Sequence, residues 1–274
     1  MIRLVCNEPQ TLKQFTDTHC AQASFYWHAL LKNKDIKVNG KKTGGDMPLC
    51  AGDEVCYYLT AKQMEKRGYT IAYADENLII VDKESGVNAE AVFADLYQKE
   101  EGRCGFIHRL DRNTAGLLVF SRNTETEKEL LAAFKEKRVI KKYHASCFGA
   151  FPKPCDTLIA YLKKFGDNAL VKIYDKEVVG TEKIITEYKV LEKGAEITKA
   201  EITLHTGKTH QIRAHLAHIG CPIVGDMKYG ITALNKAKNA TRQQLVAKYL
   251  SFDFSGSLAY LSGREFVSSF EVCL

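Results

Sequence analysis

The order of apolar and polar positions divides the first sixty residues into a strand, a helical stretch and a hairpin. Residues 2–6 predict a strand, and Thr11 is a candidate N-cap for the helical pattern that follows. Further on, Ile36 and Val38 alternate with Lys37 just before Asn39-Gly40, a strong signal for a two-residue hairpin turn. Residues 43–50 are irregular, and residues 51–59 predict a turn that enters a closing strand.

The remaining chain alternates between buried strands and short helices. Thr124 to Glu127 has the T-x-x-E pattern of a capping box, and Thr209 is a candidate cap for a helix that Gly220 ends. Four apolar runs predict strands, at residues 78–81, 117–121, 139–147 and 245–254. The polar residues 62–69 before the first of these runs predict a joint between two domains.

Composition places the chain among ordinary globular proteins with room for one large or two modest domains. It has 274 residues, 45% hydrophobic and 26% charged, and a formal net charge of +6 that weakly favours a polyanionic partner. The N-terminal residues lack an apolar run long enough for a signal peptide or a membrane span. Nine cysteines without a C-x-x-C pair are typical of reduced thiols, so we expect a cytoplasmic protein.

Residues 106–120, FIHRLDRNTAGLLVF, carry the strongest chemical signal. They place Asp111 between Arg109 and Arg112, just ahead of an apolar strand. Nearby positive charge favours the ionised carboxylate, which can act as a nucleophile or a base. A surface Asp paired with surface Arg residues is the simpler interpretation of such a spacing alone.

The whole run resembles the H-R-L-D-x-x-T-[SA]-G-L-L signature of the RluA-type pseudouridine synthases. Two later blocks resemble family elements in the same order: residues 141–145, K-K-Y-H-A, and residues 206–216, T-G-K-T-H-Q-I-R-A-H-L, followed by G-C-P-I-V-G-D. The chain departs from the family pattern at Glu84, where a Pro is usual, and at Val246, where a His is common.

The resemblance implies a role for each matching residue. Asp111 is expected to attack the anomeric carbon or to remove a ribose proton, Tyr143 to line the uridine pocket, and Arg213 to pair with Asp111. Arg109 is expected to fill the space that the flipped uridine vacates. The remaining candidates for substrate binding are His108, Thr114, Lys208, His210 and Gln211.

The first sixty residues resemble the small alpha-L RNA-binding fold. A basic cluster at residues 32–42 comprises Lys32, Lys34, Lys37, Lys41 and Lys42, and Asp35 is the one acidic residue within it. Such lysines suit phosphate contacts, although a run of charges is usually just a solvated face. The predicted domains are therefore an RNA-binding domain at 1–61, a linker at 62–69 and a catalytic domain at 70–274.

The resemblance implies an α+β fold whose catalytic domain has a central mixed, mainly antiparallel sheet flanked by helices and loops. It implies an isomerase that converts uridine to pseudouridine in RNA with no cofactor and no metal. We expect a monomer acting on ribosomal RNA of the large subunit. Transfer RNA as substrate, or an inactive RNA-binding protein on the same scaffold, are the alternatives.

A dense set of histidines offers a different interpretation. His205, His210, His215 and His218 could belong to a metal hydrolase or a His-dependent ribonuclease. On a helix His215 and His218 would share a face, but neither H-E-x-x-H nor a Cys/His zinc spacing is present. Packing or contact with RNA phosphates is the preferred interpretation.

Overall fold

The computed structural model describes residues 1–65, 68–165 and 170–273. They belong to two compact units. The first comprises Met1–Arg112 and Leu118–Glu127, and the second comprises Asn113–Leu117 and Lys128–Leu274.

The first unit begins with a small sheet and three short helices. Their bounds are β1 (Ile2–Val5), β2 (Gln10–Thr11), α1 (Leu12–His19), α2 (Ala21–Phe25), α3 (Trp27–Asn33), β3 (Ile36–Val38), β4 (Lys41–Thr43), β5 (Pro48–Leu49) and β6 (Glu54–Tyr57). Strands β1, β6, β3 and β4 form an antiparallel sheet in that order, and β2 pairs with β5. The irregular residues 43–50 therefore still contribute a short strand.

Local signals in this part act as predicted. The Thr11 side chain accepts from the Gln14 backbone N–H, and the Gln14 side chain accepts from the Thr11 backbone N–H, which completes a capping box. Asn39 and Gly40 have φ of 49° and 77°, and two central residues with positive φ are what a type I′ hairpin turn requires. Phe15, Trp27 and Leu30 are buried with their neighbours in one apolar core, which holds the helices on the sheet.

The rest of the first unit contains the fully buried strand β8 and part of a second one, β10. Its elements are α4 (Ala61–Glu65), β7 (Tyr69–Ala74), β8 (Leu78–Lys83), α5 (Ala89–Lys99) and β9 (Gly105–Phe106), together with the later part of β10 (Ala115–Ser121) and the first turn of α6 (Thr124–Lys135). The remaining residues of β10 and α6 belong to the second unit. Every residue of β8 and β10 is buried. Helix α4 occupies part of the predicted linker, of which residues 66 and 67 lie outside the described part of the chain.

The second unit is built on a large sheet. Its elements are β11 (Val139–Phe148), β12 (Cys155–Phe165), β13 (Leu170–Tyr174), β14 (Glu182–Lys193), β15 (Ile197–Leu204), α7 (Gln211–His218), α8 (Thr232–Ala237), β16 (Leu245–Phe252), a 3₁₀ helix (Gly256–Leu261) and β17 (Glu265–Val267). The strand order is β13-β12-β14-β15-β11-β16, with β17 also on β16. These pairs are antiparallel, whereas the start of β10 runs parallel to β16. The sheet is therefore mixed and mainly antiparallel, as predicted.

Gly116 makes the parallel pairing of β10 and β16 possible. Its φ is 110°, and a Cβ there would lie 2.3 Å from the carbonyl oxygen of Ala247. Only glycine tolerates this backbone conformation and this approach without a shift. Val246, at the position where the family commonly has His, is buried opposite Ala115, so the strand persists as predicted.

Two predicted helix caps are wrong. Helix α6 begins at Thr124, and the Asn123 side chain caps it by accepting from the Thr126 backbone at 2.8 Å. Asn caps at least as well as Thr, and it stands one residue earlier. Helix α7 has His210 as its N-cap, so Thr209 lies outside it. Gly220, with φ of 80°, follows the end of α7 as predicted.

Two general features complete the fold. In the described residues no helix combines the length and apolar character needed to cross a membrane. All nine cysteines lie in the described part of the chain, and each is a free thiol.

Candidate active site

The loop between β9 and β10 carries Asp111 and its predicted neighbours in the first unit. Asp111 is half-buried. The ring nitrogen Nε2 of His108 accepts from the Val119 backbone at 3.2 Å, which ties the loop to β10. Arg109 is exposed, and its guanidinium lies 3.0 Å from the Glu90 carboxylate. The loop therefore presents one accessible cation and holds its histidine against the strand.

Lys83, at the end of β8, is a fully buried amine that interacts electrostatically with Asp111. Its Nζ donates to the backbone carbonyls of Val87, Glu84 and Arg112 at 2.9, 3.0 and 3.2 Å. Burial lowers the pKa of Lys83 to about 7, and the Asp111 charge counteracts that decrease. Lys83 thus brings a buried amine within electrostatic range of Asp111 and binds the backbone carbonyl of Arg112, the residue after Asp111.

Arg112 anchors the same loop from its other side. Its Nε donates to the Gly86 carbonyl at 2.9 Å, and its NH2 group donates to the Ser24 carbonyl at 3.4 Å. The backbone carbonyl of Arg112 accepts from the Gly86 N–H at 2.9 Å. Arg112 is therefore a structural cation, since it binds backbone oxygens on two sides of the loop.

In the second unit, the predicted catalytic residue Arg213 forms a buried ion pair with Asp226. Nε and NH2 of Arg213 donate to the two carboxylate oxygens at 2.7 and 3.0 Å. Burial raises the pKa of Asp226, but Arg213 and two backbone N–H groups outweigh it and hold that pKa below its usual value. A bidentate pair of this kind fixes the plane of the guanidinium.

The residues around Arg213 form a connected network. The Arg213 guanidinium lies over the Tyr229 ring at 5.3 Å, and His210 Nδ1 is 2.9 Å from the Tyr229 hydroxyl. Gln211 is buried, and its amide donates to Ile185 and Thr186 and accepts from Thr206 and Lys208. These bonds use all the hydrogen-bonding capacity of the Gln211 amide, so its observed role is to hold this turn. Its predicted substrate contact stays a prediction.

The other predicted residues of the second unit occupy three different environments. Tyr143 is buried on β11, at the irregularity in its pairing with β16. Thr114 is buried just before β10, where its hydroxyl accepts from the Gln243 amide at 3.1 Å. Lys208 is partly exposed and paired with Glu182.

The predicted RNA-binding lysines surround the β3–β4 hairpin. Lys34 ends α3 in a left-handed conformation, and Lys32 precedes it on the same helix. Lys37 and Lys42 are directly opposed across the hairpin, next to Lys41. Like charges in directly opposed positions destabilise a sheet, and here they concentrate positive charge on the hairpin.

The histidines that suggested a metal site have separate partners. His205 contacts Glu187 at 2.8 Å, His218 contacts Asp175 at 2.7 Å, and His215 contacts the Thr186 hydroxyl at 3.0 Å. Burial lowers the pKa of His215 to about 4, which keeps its ring neutral. Among the residues that the structure describes, no cluster of three His, Cys, Asp or Glu side chains could hold a metal ion.

Comparison with known proteins decides the family. Residues 29–218, more than half of the chain, match the model of the family described as RNA pseudouridylate synthase. The chain belongs to this family. A synthase of Rickettsia conorii, named ribosomal large subunit pseudouridine synthase C, is 33% identical over 228 residues, covering 73% of this chain and 75% of the relative. A ribosomal large subunit pseudouridine synthase D of Pseudomonas aeruginosa is 30% identical over 249 residues, covering 82% and 74%.

Solved structures agree on the fold. Human RNA pseudouridylate synthase domain containing 1 aligns with a TM-score of 0.59 at 24% identity, over 75% of this chain and 90% of that one. The predicted resemblance, the pseudouridine synthase fold and the assignment to the isomerases are confirmed.

Two residues of this pseudouridine synthase, Lys83 and Asp226, were missed by the sequence interpretation. Lys83 ends the buried strand L-I-I-V-D-K, and Asp226 closes the G-C-P-I-V-G-D run. Asp226 lies inside a quoted motif, but the motif gave no reason to single it out. A charged residue at the end of a buried strand is the signal that could have identified Lys83.

Proposed function

We propose that this pseudouridine synthase modifies ribosomal RNA of the large subunit. The two relatives described above carry names that state this substrate. The observation that supports the catalytic part is the anchored loop of Asp111: Lys83 binds the Arg112 backbone carbonyl, and the Arg112 side chain binds the carbonyls of Gly86 and Ser24. A carboxylate on an anchored loop suits a reaction in which the target base leaves its stack, at a cost of a few kcal/mol, and must meet a fixed catalytic group.

In the proposed reaction the N-glycosidic bond of uridine breaks, the uracil turns, and a bond forms from its C5 to the ribose. C5 then loses its proton and N1 takes one up, so that the product is an isomer of uridine. Asp111 attacks the anomeric carbon or removes a ribose proton. Arg213 pairs with Asp111, and Asp226 orients Arg213 for this purpose. Tyr143 stacks on the base or acts as a base.

The remaining predicted residues bind the RNA around the target. Arg109 occupies the space that the uridine vacates, and the exposure of its guanidinium supports this role. His108, Thr114, Lys208, His210 and Gln211 bind or position the flipped nucleotide. Gln211 positions the nucleotide indirectly, by holding its turn, because its amide already uses its hydrogen-bonding groups within the protein.

The N-terminal residues 1–61 act as an alpha-L RNA-binding domain, followed by a linker at 62–69 and the catalytic domain at 70–274. Three helices packed on a small sheet, with lysines around its hairpin, support this assignment. The enzyme works as a monomer in the cytoplasm, where its proposed substrate would be available.

The decisive experiment maps pseudouridines in total RNA from cells with and without this protein. We expect a uridine of large-subunit ribosomal RNA to lose its modification in the deletion strain and to regain it when the gene is restored. A lost site in transfer RNA would replace the proposed substrate. An unchanged map would indicate an inactive RNA-binding protein.

The basic hairpin predicts a specific salt dependence of RNA binding. We expect the Lys37→Gln/Lys42→Gln variant to reduce the slope of log affinity against log salt by about 1 to 2, because each phosphate contact contributes about 0.7 to 0.9. Filter binding between 50 and 200 mM salt measures this slope. The matched control is Lys176→Gln/Lys193→Gln, which removes two exposed charges from the second unit. Equal slopes in both variants would contradict a phosphate-binding hairpin.

A further inference from the structure

A cavity of about 250 Å³ lies within the first unit, between helices α2 and α3 and the turn that follows β8. Its volume is below the roughly 300–1,000 Å³ typical of pockets that enclose a whole small-molecule ligand. A single planar ring system suits this space better. The lining residues that matter here are Phe25, Tyr26, His28, Ala29, Ser85 and Arg112.

The cavity adjoins the proposed nucleophile through the chain itself. Arg112, which forms part of its wall, directly follows Asp111, and consecutive Cα atoms are about 3.8 Å apart. The hydrogen bonds of Arg112 to Ser24 and Gly86 connect the helix α2 side of the cavity to the turn on its other side. An RNA strand that delivers a uridine to Asp111 therefore passes beside this cavity.

The chemistry of the lining favours a nucleobase over a bare phosphate. Phe25 and Tyr26 supply aromatic rings, and every base has a face that stacks on such rings. Burial and then the charges of Arg112 and Lys13 lower the pKa of His28, so this ring is neutral at pH 7.

The charges close to the cavity are of both signs. Asp17 is paired with Lys13 and interacts with Arg112, Glu84 is one of the lining residues, and the Lys83 amine binds the carbonyls of Glu84 and Val87. Because acidic residues stand beside these cations, the site attracts an isolated anion less than a cluster of cations alone would.

We propose that this cavity binds one unpaired base of the substrate RNA, from a nucleotide next to the target uridine. This inference rests on the proposed function of the Asp111 loop. Enzymes that flip a base choose substrates partly through contacts to the flanking nucleotides. The helices of the N-terminal part would then contribute sequence preference beside the reacting uridine, in addition to the general affinity of the lysine hairpin.

The test is to fill the cavity mouth with Ala29→Trp. Ala29 is an exposed residue of α3 that contributes only a methyl group to the lining, so the change adds bulk without removing a polar group. The matched control is Thr18→Trp, which places the same indole on an exposed position of α1 outside the cavity. The RNA probe is large-subunit ribosomal RNA from a strain that lacks the gene.

For Ala29→Trp we expect about a tenfold increase in Kd for this RNA, the size of one lost base stack. The single-turnover rate at saturating RNA should stay within about twofold of the wild type, because binding is lost equally from ground state and transition state. Thr18→Trp should match the wild type in both measurements. An unchanged Kd for Ala29→Trp overturns the proposal, and so does a collapse of the saturated rate.

A second probe separates base from phosphate. The wild type should bind octauridylate more tightly than an eight-residue abasic ribose-phosphate chain, and Ala29→Trp should lose most of this preference. Equal weakening of both oligomers would identify a phosphate site and overturn the inference. If the wild type forms no pseudouridine in any ribosomal RNA, the proposed function fails, while the oligomer comparison still decides whether the cavity takes a base.

Discussion

Asp111→Asn is expected to reduce pseudouridine formation more than about 10⁴-fold while RNA affinity stays near that of the wild type. Loss of a catalytic nucleophile or base costs on the order of 10⁴ to 10⁶ in rate. Asn has nearly the same size and shape as Asp, but its amide carries no charge and neither attacks carbon nor accepts a proton efficiently. The variant should also fold, since removing the Asp111 charge only favours the neutral form of the buried Lys83 amine.

Turnover is measured as release of tritium from RNA labelled at C5 of uridine, because the new glycosidic bond displaces the C5 hydrogen. Filter binding on the same preparation gives the affinity. The control is Asp175→Asn, whose parent carboxylate is 86% exposed and lies in the second unit. We expect the control to retain full turnover. Full turnover by Asp111→Asn would show that the mechanism assigned to Asp111 is wrong.

The second large effect concerns stability. Asp226→Ala is expected to lower the free energy of unfolding by about 3–5 kcal/mol, because it leaves the Arg213 guanidinium buried without its bidentate carboxylate. It also removes the acceptor for the backbone N–H groups of Lys228 and Tyr229. At about 2–4 °C per kcal/mol for chains of 150–250 residues, the thermal midpoint should fall by roughly 10 °C.

Thermal unfolding followed by circular dichroism measures this loss, and two further variants test its cause. Asp175→Ala breaks the exposed pair with His218 and should cost at most about 1 kcal/mol. Combining Asp226→Ala with Arg213→Met should recover part of the loss, since no buried charge is then left unpaired. If Asp226→Ala unfolds at the same temperature as the wild type, the Arg213–Asp226 ion pair does not stabilise the fold.

Short-range features of the fold could be predicted because both partners of each interaction are close in the chain. The Thr11 cap, the Asn39-Gly40 turn and the buried strands β8, β10, β11 and β16 were all indicated by nearby residues. The cap predicted at Thr124 failed because Asn123, one residue earlier, caps that helix. The cap predicted at Thr209 failed because α7 begins one residue later, after His210, whose side chain makes no capping bond. Several neighbouring residues can be of a type that caps helices, so residue type alone does not identify which one is the N-cap.

The family, the identity of Asp111 and the basic hairpin could be deduced from the sequence, since motif order and charge are properties of the chain itself. Only the tertiary structure decided that Lys83 is buried against the Asp111 loop, that Asp226 holds Arg213, and that Gly116 touches Ala247. Gly116 and Ala247 are 131 positions apart, so no local propensity reports their contact. Burial raises the energetic cost of an unpaired charge. Packing between residues that are far apart in the sequence determines which charges are buried and what they bind.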